Sequence, residues 1–294
     1  MSQSITLNEI QIEEIRKLAK DKRQSLSIIG EIPIANDIFT ILEHLNIKLL
    51  EYPIQSEGDR PAFSAAIMYS EEDGEELVFI GLNTADYFDK QVFAIAHELF
   101  HYFTKTASHL SRLSDSENTL IEAKANRFAA EFLFPEAALK SIILDEFKTS
   151  KLEKASEKTI MRFIARLQCT WWLPYRSIVK RLREIGAILE EQYRHLYSVD
   201  ERDLCAEYGK MGMAFNDEAF KKLNSKTNSI GTSMRDIDII IRNFEDGLIN
   251  EDKLTDTLNL FDKSPDDFGY KVNVSNDDEE EFDAFFSGGS SDED

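Results

Sequence analysis

The chain has 294 residues, 42% of them apolar and 20 of them Phe, with a formal net charge of −21. Such a chain can build one large domain or two modest ones with a real core, which excludes disorder throughout. The charge disfavours sequence-independent nucleic-acid binding by the protein as a whole, though not by a local basic face.

Residues 6–29 predict a helix with an imperfect apolar stripe of Ile10, Ile12, Ile15 and Leu18. Pro33 precedes a second helical segment, roughly Ala35 to Leu45, with Ile38, Ile41, Leu42 and Leu45 on one side and Asn46 as its stop. The pattern then changes. Ile47 to Tyr52 reads as a strand, Ala62 to Tyr69 as another, and Asp73-Gly74 is a hairpin-turn signal leading into a returning strand at Leu77 to Ile80. A small, mostly antiparallel sheet is expected.

From Lys90 the chain is helical again, with Val92, Ile95, Ala96, Leu99 and Phe103 on one face. A further helix is expected over 117–134, and Pro135 opens another that carries Ile142, Ile143 and Phe147. Residues 156–186 read as two helices separated by Cys169 to Leu173, with Pro174 in the first turn of the second and Gly186 at its C-terminal cap. Residues 200–262 are helical and less informative. From Ser275 the chain is acidic and is expected to be disordered.

Cys169 and Cys205 are the only cysteines and have no metal-ligand spacing, which argues against a thiolate site and suits a reducing cytosol. Residues 1–15 lack a basic segment followed by an apolar one, so no secretory signal is expected. No apolar run approaches the roughly 20 residues of a membrane span. The expectation is a soluble, cytoplasmic protein without a membrane partner.

The chemistry is concentrated in His97-Glu98-Leu99-Phe100-His101, an HExxH pattern. Residues four apart on a helix sit one turn above each other, so His97 and His101 can hold one zinc ion from the same side. Glu98 is placed beside the metal, where it can take a proton from water as the catalytic base. The pattern carries meaning only on a helix. No Pro or Gly occurs from Lys90 to Lys105, which supports one. A chance Glu between two surface histidines is the bland alternative.

A catalytic zinc usually has a third protein ligand. The extended motif with a glycine and a third histidine is absent, since Thr104 and Ala107 stand at those positions. A carboxylate from the next helix is the other common solution. Glu122 is the candidate, with Asn126 one turn on, where its amide oxygen can accept a hydrogen bond from a ligand imidazole. Ala125 and Ala129 are small enough to let two helices approach closely. Glu117 and Glu131 are the rival acids, one too near a loop and the other expected to face away.

These residues resemble the ImmA/IrrE family of metallopeptidases. The matching stretches are Phe93 to His101 and Ile121 to Pro135, supported by the strand Leu77 to Leu82 ending in Asn83. The resemblance spans roughly residues 33–148 and weakens across 156–186, where the family often continues in a helix-turn-helix-like pair. Phe100 stands where many members have Gly. Lys124 stands where many have Glu, which favours Glu122 as the ligand.

The resemblance implies an α+β fold: a zincin-like domain, its small sheet packed on the metal-binding helices, followed by a mainly helical C-terminal region. The segments expected are a helical one over 1–32, the peptidase domain over 33–150, a helix-turn-helix-like pair over 151–190, a helical region over 191–270 and an acidic tail over 271–294. The implied activity is zinc-dependent endoproteolysis, and the implied partner is a protein substrate, a helix-turn-helix transcriptional repressor. Zinc held by His97, His101 and Glu122 would lower the pKa of water toward ~7 and polarise the scissile carbonyl. Phe79 and Ile80 would pair with an extended substrate if their strand forms the sheet edge. Tyr87, Tyr102 and His109 are candidates for stabilising the oxyanion, each more readily read as structural.

Two features stay open. Lys151, Lys154, Lys158, Arg162, Arg166, Arg176, Lys180, Arg181 and Arg183 form a basic island that a helix-turn-helix would lay on DNA. Solvated helix faces are the favoured reading, and DNA binding the less favoured one. The tail mixes acidic residues with Phe282, Phe285 and Phe286, which suits either a docking segment or a solubilising one. Two further functions compete with repressor cleavage: a non-catalytic DNA- or protein-binding module on the same scaffold, and a toxin or defence protease with another substrate.

Overall fold

Asn8 starts the first helix. Its side chain accepts from the Gln11 N–H while the Gln11 side chain accepts from the Asn8 N–H, a reciprocal cap for α1 (Glu9–Ser25). The computed structural model describes residues 6–55, 63–72, 74–106 and 115–270. A short 3-10 turn at Ala35–Asp37 leads into α2 (Ile38–His44), and Asn46 then takes a positive φ that ends the helical run.

Four strands form the sheet: β1 (Ile47–Tyr52), β2 (Ala65–Glu72), β3 (Glu75–Asn83) and β4 (Gly231–Thr232). Their order is β2-β3-β1-β4. β2 and β3 form the antiparallel hairpin, Ile67 opposite Ile80, while β1 lies parallel to β3 with Leu49 opposite Ile80. β4 closes the far side antiparallel to β1. Two of the three pairings are therefore antiparallel. Val78, Ile80 and Leu82 turn one face of β3 into the core, as a period of two requires.

That core is completed by α3 (Phe88–Thr104), which packs against β2 and β3, and by α4 (Asp115–Leu133), which packs against α3. Val92, Ile95, Ala96 and Leu99 are fully buried on α3. Ala125 and Ala129 are fully buried on α4 and let the two helices close together. α1 lies on α4, where the buried Arg23 donates to the carbonyls of Phe132 and Ile32.

The chain continues through α5 (Glu136–Phe147), α6 (Glu157–Trp171), α7 (Tyr175–Glu184), α8 (Glu190–Tyr197) and α9 (Glu207–Leu223). Pro174 caps α7 just before its first turn, and Gly186 at φ +65° turns the chain after it. Asp89 at the start of α3 is fully buried and accepts from Arg202 and from Gln168, whose own amide oxygen accepts from Tyr208. This chain of bonds fastens α6 and α9 to the metal-motif helix.

A buried charge network ties α4 to α5 and α7. Glu131 accepts from Arg181 at 2.8 Å, lies 3.6 Å from Arg127, and accepts the Glu136 N–H that opens α5. Truncating one partner leaves a charge buried without its counterion. Arg181→Met is expected to cost roughly 3 kcal/mol, at the low end of the usual range because Arg127 stays beside the same carboxylate. Urea unfolding reads it, and a variant as stable as the wild type would show the pair to be dispensable.

Glu136 gives a second stability prediction. Burial pushes its carboxyl up, but hydrogen bonds from Lys140 and Arg16, with their charges, outweigh burial and hold it at about 2. A depressed carboxyl stabilises the fold above its unfolded value of about 4.5 and loses that contribution as pH falls toward 2. Unfolding free energy should fall across that window by more in the wild type than in Glu136→Gln. Parallel acid titrations of the two would contradict this.

Compact packing divides the chain after Ser233. The second unit holds α10 (Met234–Glu245), α11 (Glu251–Asn259) and a 3-10 turn at Pro265–Phe268. Ile237, Leu254, Leu258 and Phe261 are among its buried apolar residues, and the Asn250 side chain caps α11. Among the described residues no helix is long and apolar enough to cross a membrane. Cys169 and Cys205 are free thiols. The acidic tail, His109 and Asp73 lie outside the described residues.

Candidate metal centre

His97 and His101 lie one turn apart on α3, facing α4 rather than the sheet. Their Nε2 atoms are 3.3 Å apart. From α4, Glu122 reaches both: Oε2 is 3.0 Å from His97 Nε2, and Oε1 is 3.5 Å from His101 Nε2. One ligand atom from each of the three lies within 4.8 Å of the others, a His/His/Glu donor set of the kind that holds zinc. Asn126, one turn beyond Glu122, places Oδ1 3.2 Å from His97 Nδ1.

Glu98 stands outside this donor set. It is buried, and its Oε2 accepts the Ile67 N–H from β2 at 3.0 Å. An open cavity of about 500 Å³ brings the parts together: Ala65 and Ile67 of β2, Phe93 and Ala94 of α3, the two histidines, Glu98, Glu122 and Asn126.

Electrostatics divide the groups. Burial pushes the Glu98 carboxyl up to about 7, against the pull of His97 and of the Ile67 N–H. Burial, then the His97 charge, lower the His101 imidazole to about 4, which favours the neutral form that ligates metal. Burial also opposes charge on His97, but the Glu122 hydrogen bond and the nearby carboxylates reverse the direction and raise it. Glu122 is lowered, chiefly by its hydrogen bond with His97.

The substrate-pairing expectation for Phe79 and Ile80 needs correction. β3 is interior, paired with β1 on one side and β2 on the other, so neither residue has free backbone groups on an edge. Ile80 is also fully buried. The edge strand beside the site is β2. Since Ile67 turns its N–H outward, alternation turns the backbone groups of Ala65 and Tyr69 the same way.

Of the oxyanion candidates, neither Tyr87 nor Tyr102 lines the cavity. Tyr87 stacks under Arg202, and Tyr102 packs on Phe103. Glu131 belongs to the charge network, not the site. The basic residues of 151–183 are largely engaged within the chain. Lys158 pairs with Glu207, Arg166 with Glu146, Arg176 with Glu201, Arg181 with Glu131 and Arg183 with Glu190.

Two imidazoles and a carboxylate converging from adjacent helices, with a buried carboxyl in the same cavity beside a small mixed sheet, are the parts of a metallopeptidase-type domain. Residues 43–182 match the IrrE N-terminal-like domain of peptidase family M78, a stretch that holds α3, α4 and every member of the cluster. Over this stretch the chain is similar to the ImmA/IrrE family, which supports the resemblance read from the motifs. No curated protein matches the chain.

Proposed function

We propose that the protein is a zinc-dependent endopeptidase that hydrolyses a peptide bond in a regulatory protein, a helix-turn-helix repressor being the expected substrate. The observation that carries this reading is the convergence of His97, His101 and Glu122, with Glu98 aimed into the same cavity but outside the ligand set. Zinc bound there would polarise a peptide carbonyl and acidify water. The chain's own groups do the rest. Glu98 takes the proton from the attacking water and passes it to the leaving amine, and its value near 7 suits both transfers at neutral pH. Asn126 accepts a hydrogen bond from His97 Nδ1–H and so turns Nε2 toward the metal. The edge of β2, which no described strand pairs with, offers the backbone groups of Ala65 and Tyr69 to an extended substrate segment above the cavity.

The internal pairing of the basic island favours a structural role for those helices over a DNA surface. A non-catalytic binding module would also have no use for a buried carboxyl beside an intact ligand set. Incubating the protein with a helix-turn-helix repressor from its own genome, with and without a chelator, tests the reading. A discrete cut that the chelator abolishes is expected, and an intact repressor under both conditions would remove that substrate.

A further inference from the structure

We propose that Thr104 and Thr106 form a hydroxyl relay that fixes the tautomer of His101 and so presents its Nε2 lone pair to the metal, an inference that rests on the metal site proposed above. The argument is a count of protons. Thr106 Oγ1 lies 3.0 Å from His101 Nδ1 and 3.0 Å from Thr104 Oγ1. Thr104 Oγ1 lies 2.7 Å from the carbonyl oxygen of Phe100, which can only accept. Each hydroxyl carries one hydrogen. The Thr104 hydrogen is therefore committed to Phe100, and Thr104 Oγ1 can meet Thr106 only as an acceptor. That commits the Thr106 hydrogen to Thr104. The lone pairs of Thr106 are then what face His101, so Nδ1 must carry the ring proton. In the opposite arrangement, with Thr106 donating to Nδ1, two hydroxyl oxygens would meet at 3.0 Å with no proton between them.

The backbone supplies the geometry. α3 ends at Thr104, whose side chain bonds back one turn along its own helix. Lys105 takes the left-handed conformation at φ 52°, which folds the chain back and sets Thr106 beside His101. His101 is 2% exposed, so water has little access to do the same work. His97 has its own acceptor in Asn126 Oδ1. Each imidazole is thus oriented by a different device, an amide from α4 on one and a relay from the end of α3 on the other.

Thr104 and Thr106 are positioning residues, so the test separates a hydrogen bond from mere space. Zinc affinity of the full chain would be measured by competition with a chromophoric chelator for wild type, Thr106→Val, Thr106→Ser, Thr104→Val and Thr104→Ser. Valine keeps the shape and removes the hydroxyl. Both valine variants should bind zinc about 10–100-fold more weakly, the usual effect of removing such a partner, while both serine variants stay close to wild type. In zinc-loaded protein the imidazole N–H signal of His101 should be lost in Thr106→Val while that of His97 persists. Valine variants that bind as tightly as wild type would overturn the relay, as would serine variants that fail equally. If wild type binds zinc and His101→Ala does not, such a result removes the relay alone. If wild type binds no zinc, the metal site and the relay fall together.

Discussion

Purified wild-type protein should retain a stoichiometric zinc ion through dialysis, and His101→Ala should not. The size of the effect follows from the geometry. His101 Nε2 stands 3.3 Å from its counterpart on His97 and 3.5 Å from Glu122. Its side chain is almost wholly buried, whereas that of Glu122 is half exposed. Removing the ring leaves one imidazole and one partly solvated carboxylate, too few for the three protein ligands a catalytic zinc normally has. Alanine also leaves a cavity, so loss of fold needs its own control. His97→Ala provides it, because that ring is less buried and its loss disturbs the core less. Both variants should keep wild-type circular dichroism and lack metal by elemental analysis. Equal zinc content in wild type and His101→Ala would rule out this site.

The reach of the sequence can be judged residue by residue. The metal-motif helix was legible because α3 has no breaker and its apolar stripe, Val92, Ile95 and Leu99, is buried as the period requires. The contrast between Glu122 and Glu131 was legible too. Nine residues at about 100° each put them on opposite sides of α4, and Glu131 meets Arg181 while Glu122 meets the histidines. Strand order was not legible. A period of two says which face of β3 is buried but not which strands flank it, and β1 turned out to lie parallel to it. β4 is only two residues long, too short to carry a pattern. The pairing within the basic island was hidden for a related reason. The island's acidic partners, such as Glu131, Glu146 and Glu207, lie outside it in the chain and meet it only after folding. Thr106 gave no signal at all, since a threonine after a helix has many ordinary uses.

Glu98→Gln should leave metal and fold intact and lower kcat/KM by roughly 10²–10⁴, the usual worth of a general base. The substitution is chosen for what it preserves. Glu98 lies outside the ligand cluster, so zinc content should match wild type. The Gln amide oxygen can still accept the Ile67 N–H that holds Glu98 at 3.0 Å, so the side chain should stay in place. What it cannot do is take up a proton. The fold should not suffer. Burial is what pushes Glu98 up to about 7, and a neutral amide escapes that penalty. Above that pH the variant should therefore unfold at a temperature no lower than wild type. The assay is cleavage of a fluorogenic peptide spanning the cut found in the repressor, with zinc content and thermal midpoint measured on the same samples. Loss of cleavage together with loss of zinc would make Glu98 a structural support of the site. Undiminished cleavage at full zinc content would take the base from Glu98 and leave the proposed mechanism without a proton acceptor.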